Sequence, residues 1–263
     1  MGTAYSYDRL RRKIKEAKLR LLQMHYSCRV GHIGGNLSCL DILMSLYHSV
    51  LREKDLFVLS KGHAAGALYI TLWTAGRIPE YELDTFHKDE TRLGGHPTSS
   101  HFPDILFSTG SLGHGLSLAA GLAIGKVIKK EEGTVYCLLS EGDLNEGSTW
   151  EAILFAVQQR LDNLTIIIDA NGLQGFGTVS EVSGLMNLQE KLSSFGLKIV
   201  EADGHDVTQL LPAISTKAER PVCIIAHTVK GKGVSFMENQ MEWHYLPLNE
   251  ELYRQAKEEV ERL

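Results

Sequence analysis

A three-layer, doubly wound α/β fold on a mainly parallel sheet is predicted by three features of this 263-residue sequence. First, five short runs rich in apolar and β-forming residues recur along it: LFVLS at 56–60, TVYCLL at 134–139, LTIIID at 164–169, and the openings of LKIVEADGHD at 197–206 and PVCIIAHTVKGKG at 221–233. The second and third have the length and continuous apolarity of strands covered on both faces. Second, segments of helical periodicity separate the runs, which is the alternation of a βαβ series. Third, no internal repeat, low-complexity tract or Pro/Ser-rich linker interrupts the chain, so residues 1–263 read as a single domain.

Composition narrows the function classes. Apolar residues make up 43% and charged residues 22%, an ordinary globular balance. A net charge of −5 favours neither nucleic acid nor an anionic membrane as partner. No apolar run approaches the ~20 residues of a membrane span, and the N-terminus carries no signal-type segment. Cys28, Cys39, Cys137 and Cys223 lie in apolar or helical contexts without C-x-x-C spacing, as reduced core thiols of a cytoplasmic protein do.

Taken in order, Asp8–Cys28 is an amphipathic helix, with Leu10, Ile14, Ala17, Leu21, Met24 and Cys28 on one face and a solvated basic face opposite. GHIGGNLS at 31–38 reads as an irregular loop, and Ser38 with Asp41 as a capping-box start to a helix Cys39–Leu51. After the first strand, His63 opens a helix with small residues on one side, and Pro79–Lys88 reads as a short polar helix. The loops LGGHPTSS (93–100) and STGSLGHG (108–115) feed a Gly/Ala-rich helix, whose Ala119, Ala120 and Ala123 permit close packing on the sheet. Ser148–Leu161 is helical through Trp150, Ile153, Leu154, Val157 and Leu161, as are Leu188–Phe195, Val207–Thr216 and the charged tail Asn249–Leu263. His205 reads as structural, in the turn before residue 207. The glycine-lysine loop at 230–233 is not a P-loop, because GxxxxGK[ST] is absent.

The strand–helix–strand unit from 134 to 169 is where chemistry concentrates. Glu141 and Asp143 follow its first strand and Asn171 its second. Carboxyl ends of neighbouring parallel strands form the ligand crevice of such sheets, so Glu141 and Asn171 converge there. A carboxylate with an amide oxygen suits Mg²⁺ or Ca²⁺, and Mg²⁺ takes few protein ligands beside phosphate and water. Gly142, Gly147 and Gly172 let backbone approach a bulky ligand.

This stretch resembles the thiamin diphosphate motif of transketolases, a Gly-Asp-Gly followed about thirty residues later by Asn. Without gaps, Ser140-Glu141-Gly142 falls on Gly-Asp-Gly and Asn171 on the Asn. The resemblance implies that Glu141, Asn171 and the Leu173 carbonyl hold Mg²⁺, with Glu141 departing from the usual Asp; a gapped alignment makes Asp143 the ligand instead. Further motifs in the same order carry the resemblance from about residue 10 to 250. His32 in GHIGG matches a histidine facing the thiazolium ring and substrate. His63 matches one that touches the diphosphate, His96 in G-H-P one that contacts substrate hydroxyls, and His244 in E-W-H one near both. Ser111, Leu112 and Gly113 match the loop that positions the aminopyrimidine, and Gly142 and Asp143 border the cofactor. Ser111 and His114 replace the usual Pro and Gln, and Tyr245 replaces a Gly, which would narrow the mouth of the site.

The implied fold is the diphosphate-binding module of that family. The implied activity is transfer of a two-carbon ketol unit between sugars, using thiamin diphosphate and Mg²⁺, with His32, His96 and His244 catalytic. Only one of the family's two cofactor-binding modules is matched. The chain is therefore expected to act as the N-terminal subunit of a split enzyme. Its partner would carry the pyrimidine-binding and C-terminal domains, in a two-plus-two heterotetramer. Other thiamin diphosphate subunits, α-ketoacid-decarboxylating or deoxyxylulose-phosphate-synthase-like, and a non-catalytic regulatory partner remain the alternatives.

Overall fold

The computed structural model describes residues 2–185 and 187–263, with side chains from residue 7 onward. In chain order the elements are α1 (Gly2–Cys28), α2 (Ile33–Ser45), β1 (Leu56–Leu59), α3 (Ala65–Thr74), α4 (Glu80–Leu83), α5 (Gly115–Lys129), β2 (Val135–Ser140), α6 (Gly147–Gln158), β3 (Leu164–Ala170), α7 (Val179–Val182), α8 (Leu188–Ser194), β4 (Lys198–Asp203), α9 (Val207–Ile214), β5 (Val222–His227) and α10 (Glu250–Glu261). The five strands form one wholly parallel sheet in the order β1-β2-β3-β5-β4.

Strand alternation produces two cores. Phe57, Leu59, Tyr136, Leu138, Ile167 and Ile224 face the layer of α1, α2, α3, α9 and α10. Val58, Cys137, Leu139, Ile166, Ile168 and Ile225 face α5, α6 and α8. Every residue of β2 is buried, as a central strand covered on both faces requires. Cys39, Cys137 and Cys223 are buried and unpaired, and Cys28 is half-buried. Among the described residues, no helix is long and apolar enough to cross a membrane.

Four local expectations are corrected. GHIGGNLS is not a loop: α2 begins at Ile33, and every residue from Ile33 to Ser45 is buried. The glycines serve contact there, since a Cβ on Gly34 would sit 3.1 Å from the Lys230 side chain and 3.2 Å from that of Trp243. Ser38 is accordingly no cap; its hydroxyl donates to Asp169 Oδ2 at 2.6 Å, and Asp41 instead pairs with Lys18 at 3.1 Å. The helix does not run evenly to Leu51, because its last turn, Leu46–Val50, is π-helical. Pro79–Lys88 holds only the single helical turn α4, followed by turns.

Candidate active site

The carboxyl ends of β1, β2 and β3, with the loop after β5, enclose a cleft of about 360 Å³ lined by His32, His63, His96, His244, Lys61 and Lys230. Each histidine arrives on a different element. His32 is the N-terminal flank of α2, in the left-handed region at φ 65°. A non-glycine residue there is uncommon, and the surrounding bonds hold it: His32 N–H donates to His244 O at 2.9 Å, and His32 O accepts from Asn36 Nδ2 at 2.8 Å. Asn36 Nδ2 also donates to His63 O at 3.2 Å, while its Oδ1 accepts from Ala67 N–H at 2.6 Å. One buried amide thereby couples two histidines to two helices. His63 lies in a single 3₁₀ turn before α3, and His244 in another spanning Met241–His244. The His96 loop is tied down by Tyr69, whose hydroxyl donates to Gly94 O at 3.0 Å. His32 is the hub: its ring centroid is 5.0 Å from that of His244, 5.7 Å from His63 and 6.0 Å from His96.

Burial and mutual repulsion keep these imidazoles neutral. Burial is the main cause for all four, joined by Lys61 and neighbouring histidines at His63 and by His96 and His87 at His32. His244 falls to about 3, through burial and then the Lys230 charge. A neutral imidazole offers one donor and one acceptor, which suits proton exchange with hydroxyls. Lys230 Nζ lies 3.3 Å from His244 Nδ1. A lysine donating there makes Nδ1 the acceptor, which assigns the His244 proton to Nε2.

The two lysines differ. Lys61 is locked in a buried ion pair with Asp169, which also accepts from Ser38 and Thr228 hydroxyls. Burial alone would raise the Asp169 carboxyl, but Lys61 and these hydroxyls hold it below its usual value. Lys230 is 2% exposed, and its hydrogen bonds go to neutral acceptors, Gln174 O at 3.2 Å and His244 Nδ1. Among the described residues no carboxylate forms an ion pair with it. Burial brings its ammonium down to about 8, with Lys61 repelling it further. A buried cation facing a cavity, with Asp169 acting on it only at a distance and no carboxylate bonded to it, is an arrangement an anionic ligand completes.

The strand-end residues divide. Gly142, Asn171 and Leu173 line the cleft, as does Leu112. Glu141 lies behind the same turn, lining a neighbouring cavity of about 490 Å³, and accepts from Gly172 N–H at 2.6 Å. It therefore meets the 171–173 turn, as its position at the end of the adjacent strand requires. Ser111 lies on an outer groove with His96 and His114. Gly113 adopts φ 85°, and its N–H donates to Asp143 at 2.9 Å.

Asp143 is a correction. Its side chain is fully buried, and it accepts from Ser60 Oγ at 2.5 Å, Gly113 N–H at 2.9 Å, Ser140 N–H at 2.8 Å and Ser140 Oγ at 2.9 Å. It has no free face for a cofactor or metal. Instead it joins the ends of β1 and β2 to the glycine loop. His205 is structural as expected: Nδ1 lies 2.6 Å from Asp41, and Nε2 accepts from Val229 N–H at 2.9 Å. Sequence reasoning missed Asn36, Lys61, Asp169 and Lys230. Only Lys230 had a local signal, the glycine-lysine loop, which could be read as a non-P-loop anion site.

The residues present fit thiamin diphosphate. A buried lysine with no carboxylate bonded to it and a neutral histidine set converge on one cleft, and glycine backbone borders it at Gly35, Gly110, Gly142 and Gly175. The sequence matches the family described as "Transketolase, thiamine diphosphate binding domain" over residues 12–261. It is 39% identical over 253 residues to one of the subunits of the apulose-4-phosphate transketolase of Phocaeicola vulgatus, covering 92% of this chain and 90% of that protein. It is 36% identical over 245 residues to a 6-deoxy-6-sulfo-D-fructose transketolase subunit of Clostridium sp., covering 89% of each. Human transketolase is 38% identical over 242 residues, but this chain spans only 38% of its length. The crystal structure of Campylobacter jejuni transketolase superposes with a TM-score of 0.89 at 27% identity, over 96% of this chain and 42% of that one.

Proposed function

We infer function from one premise: the chain belongs to the thiamine diphosphate-binding domain family of transketolases. It is a subunit of a transketolase-type transferase, and its relatives of similar length are subunits of split enzymes. Within that frame, the reading we favour is ketol transfer between sugar or sugar phosphate substrates. The carrying observation is the convergence of His32, His63, His96 and His244 with Lys230 on one cleft.

When bound, thiamin diphosphate supplies the nucleophilic carbon and the electron sink for cleaving a carbon–carbon bond. His63 and the Lys230 ammonium would hold the diphosphate, with His244 oriented by Lys230 to donate from Nε2. Asn171 Oδ1 and the Leu173 carbonyl on the cleft, with Glu141 on the far side of the same turn, would offer an all-oxygen set that suits Mg²⁺ completed by phosphate and water, Glu141 giving up its proton to the ion's charge. Glu141 would share its two carboxylate oxygens between Gly172 N–H and the ion. His32 and His96, neutral and partly accessible, would exchange protons with sugar hydroxyls, and donate to the oxygen on which charge develops.

The aminopyrimidine side would be completed by a partner chain carrying the remaining domains, in a cytoplasmic two-plus-two assembly. Support comes from exposed apolar residues on neighbouring α5 and α6: Val127, Ile128, Leu154 and Phe155. Exposed apolar side chains of this kind are what an obligate contact covers. The test is to assay ketol transfer and titrate cofactor with the chain alone and with its partner. Activity is expected only in the complex and only with thiamin diphosphate and a divalent ion. Robust transfer by the chain alone would overturn the split-subunit reading, and a complex that binds no cofactor would overturn the catalytic one.

A further inference from the structure

Tyr245 stands on the wall of the cleft. It lines the cleft beside His244, its ring centroid 4.8 Å from that of His244. Its phenol extends to the loop after β3: a Cβ placed on Gly175 would lie 2.8 Å from Tyr245 Oη and 3.5 Å from His244 Nε2. The side chain thus reaches from the 241–245 segment to the loop after β3. Its backbone is fixed as well. Tyr245 N–H donates to Glu242 O at 2.9 Å, and a Cβ on Gly31 would stand 2.7 Å from Tyr245 O, so the segment is seated against the residue before His32. With the backbone seated and the phenol reaching Gly175 beside His244, Tyr245 projects over the cleft, the residue being 59% exposed.

We propose that Tyr245 is a specificity-determining residue that restricts the sugar substrate by length, favouring short ketoses over longer ones. This rests on the ketol-transfer reading of the same cleft. His32 and His96 line the same cleft, and His244 lies between His32, 5.0 Å away, and the Tyr245 ring, 4.8 Å away, so a sugar whose reacting end reaches these histidines would run its remaining carbons beside the phenol ring. A longer chain meets the ring and must displace it. One methylene more or less in a closely fitted pocket changes discrimination by roughly tenfold or more.

The test uses the complex of this chain with its partner, loaded with thiamin diphosphate and Mg²⁺. Five-, six- and seven-carbon 2-ketose phosphates are compared as donors to one acceptor. In Tyr245→Gly, kcat/KM for the seven-carbon donor relative to the five-carbon donor should rise about tenfold. Tyr245→Trp should lower that ratio, and Tyr245→Phe, which keeps the ring, should leave it near wild type. Cofactor Kd, measured by direct titration of the same proteins, should stay within about threefold throughout. A donor ratio unchanged in both the Gly and Trp variants overturns the proposal. So does a uniform fall in kcat for all donors with weakened cofactor binding, which marks a brace for the loop and not a selector. If the wild-type complex transfers no ketol unit from any donor, the reading beneath the proposal fails, and it fails before any Tyr245 variant is compared.

Discussion

Asp143→Ala separates a residue that builds the site from one that binds the ligand. In the fold, the Asp143 carboxylate accepts from two backbone N–H groups, Gly113 and Ser140, and two hydroxyls, Ser60 and Ser140, with no exposure to solvent. Alanine leaves the hydroxyls free to turn to other acceptors, but the two N–H groups cannot turn. Each buried donor left without a partner costs about 1–3 kcal/mol, and bonds to a charged acceptor lie at the upper end. The expected loss is therefore about 3–5 kcal/mol, which for a chain of this size lowers Tm by on the order of 10 °C. Thermal unfolding followed by circular dichroism reads this directly, and cofactor titration is run well below the lowered transition. Cofactor Kd should weaken only modestly, because Leu112 and Gly142 still border the cleft. An Asp143→Ala chain that melts with wild type yet no longer binds cofactor would refute the reasoning and return Asp143 to the ligand set.

Three further outcomes are expected. Burial pushes the Glu141 carboxyl from 4.5 up to about 7, so the folded chain retains a proton there that the unfolded chain releases. Stability from this group is complete below about pH 4.5 and is lost as pH rises toward 7, about 3 kcal/mol in all; Glu141→Gln should flatten that slope in pH-dependent denaturation of the metal-free chain and abolish Mg²⁺-dependent cofactor binding. His63→Ala should weaken cofactor binding in the complex, while His96→Ala should lower turnover or raise substrate KM with cofactor Kd nearly intact; equal loss of affinity in both would sink the division of roles. Lys230→Met removes a buried cation that has no carboxylate partner, so the free chain should gain about 1–3 kcal/mol in chemical denaturation, whereas cofactor affinity should fall about a hundredfold by calorimetric titration, the worth of one charge-assisted contact.

The sequence by itself determined the layering and the strand ends. Continuous apolar runs such as Tyr136–Leu139 and Thr165–Ile168 can be satisfied only between two helical layers, and a parallel sheet directs the residues after each strand to one edge. Glu141, Asn171 and His63 were legible for that reason, each following a strand within a few residues; His32, His96 and His244 were picked out by their motifs alone. What only the tertiary structure decided depends on which residue faces which across the fold. GHIGG reads as a loop by glycine content, yet becomes the start of α2, because Gly34 must pass close to Lys230 and Trp243. Asp143 and Glu141 are two residues apart and chemically alike; only the fold turns one to Gly172 and encloses the other among Ser60, Gly113 and Ser140. Asn36, Lys61, Asp169 and Lys230 carry no mutual spacing in the chain. Their roles arise from contacts such as Lys61 with Asp169, 108 residues apart, and a local pattern cannot encode a partner supplied by the packing of a distant strand.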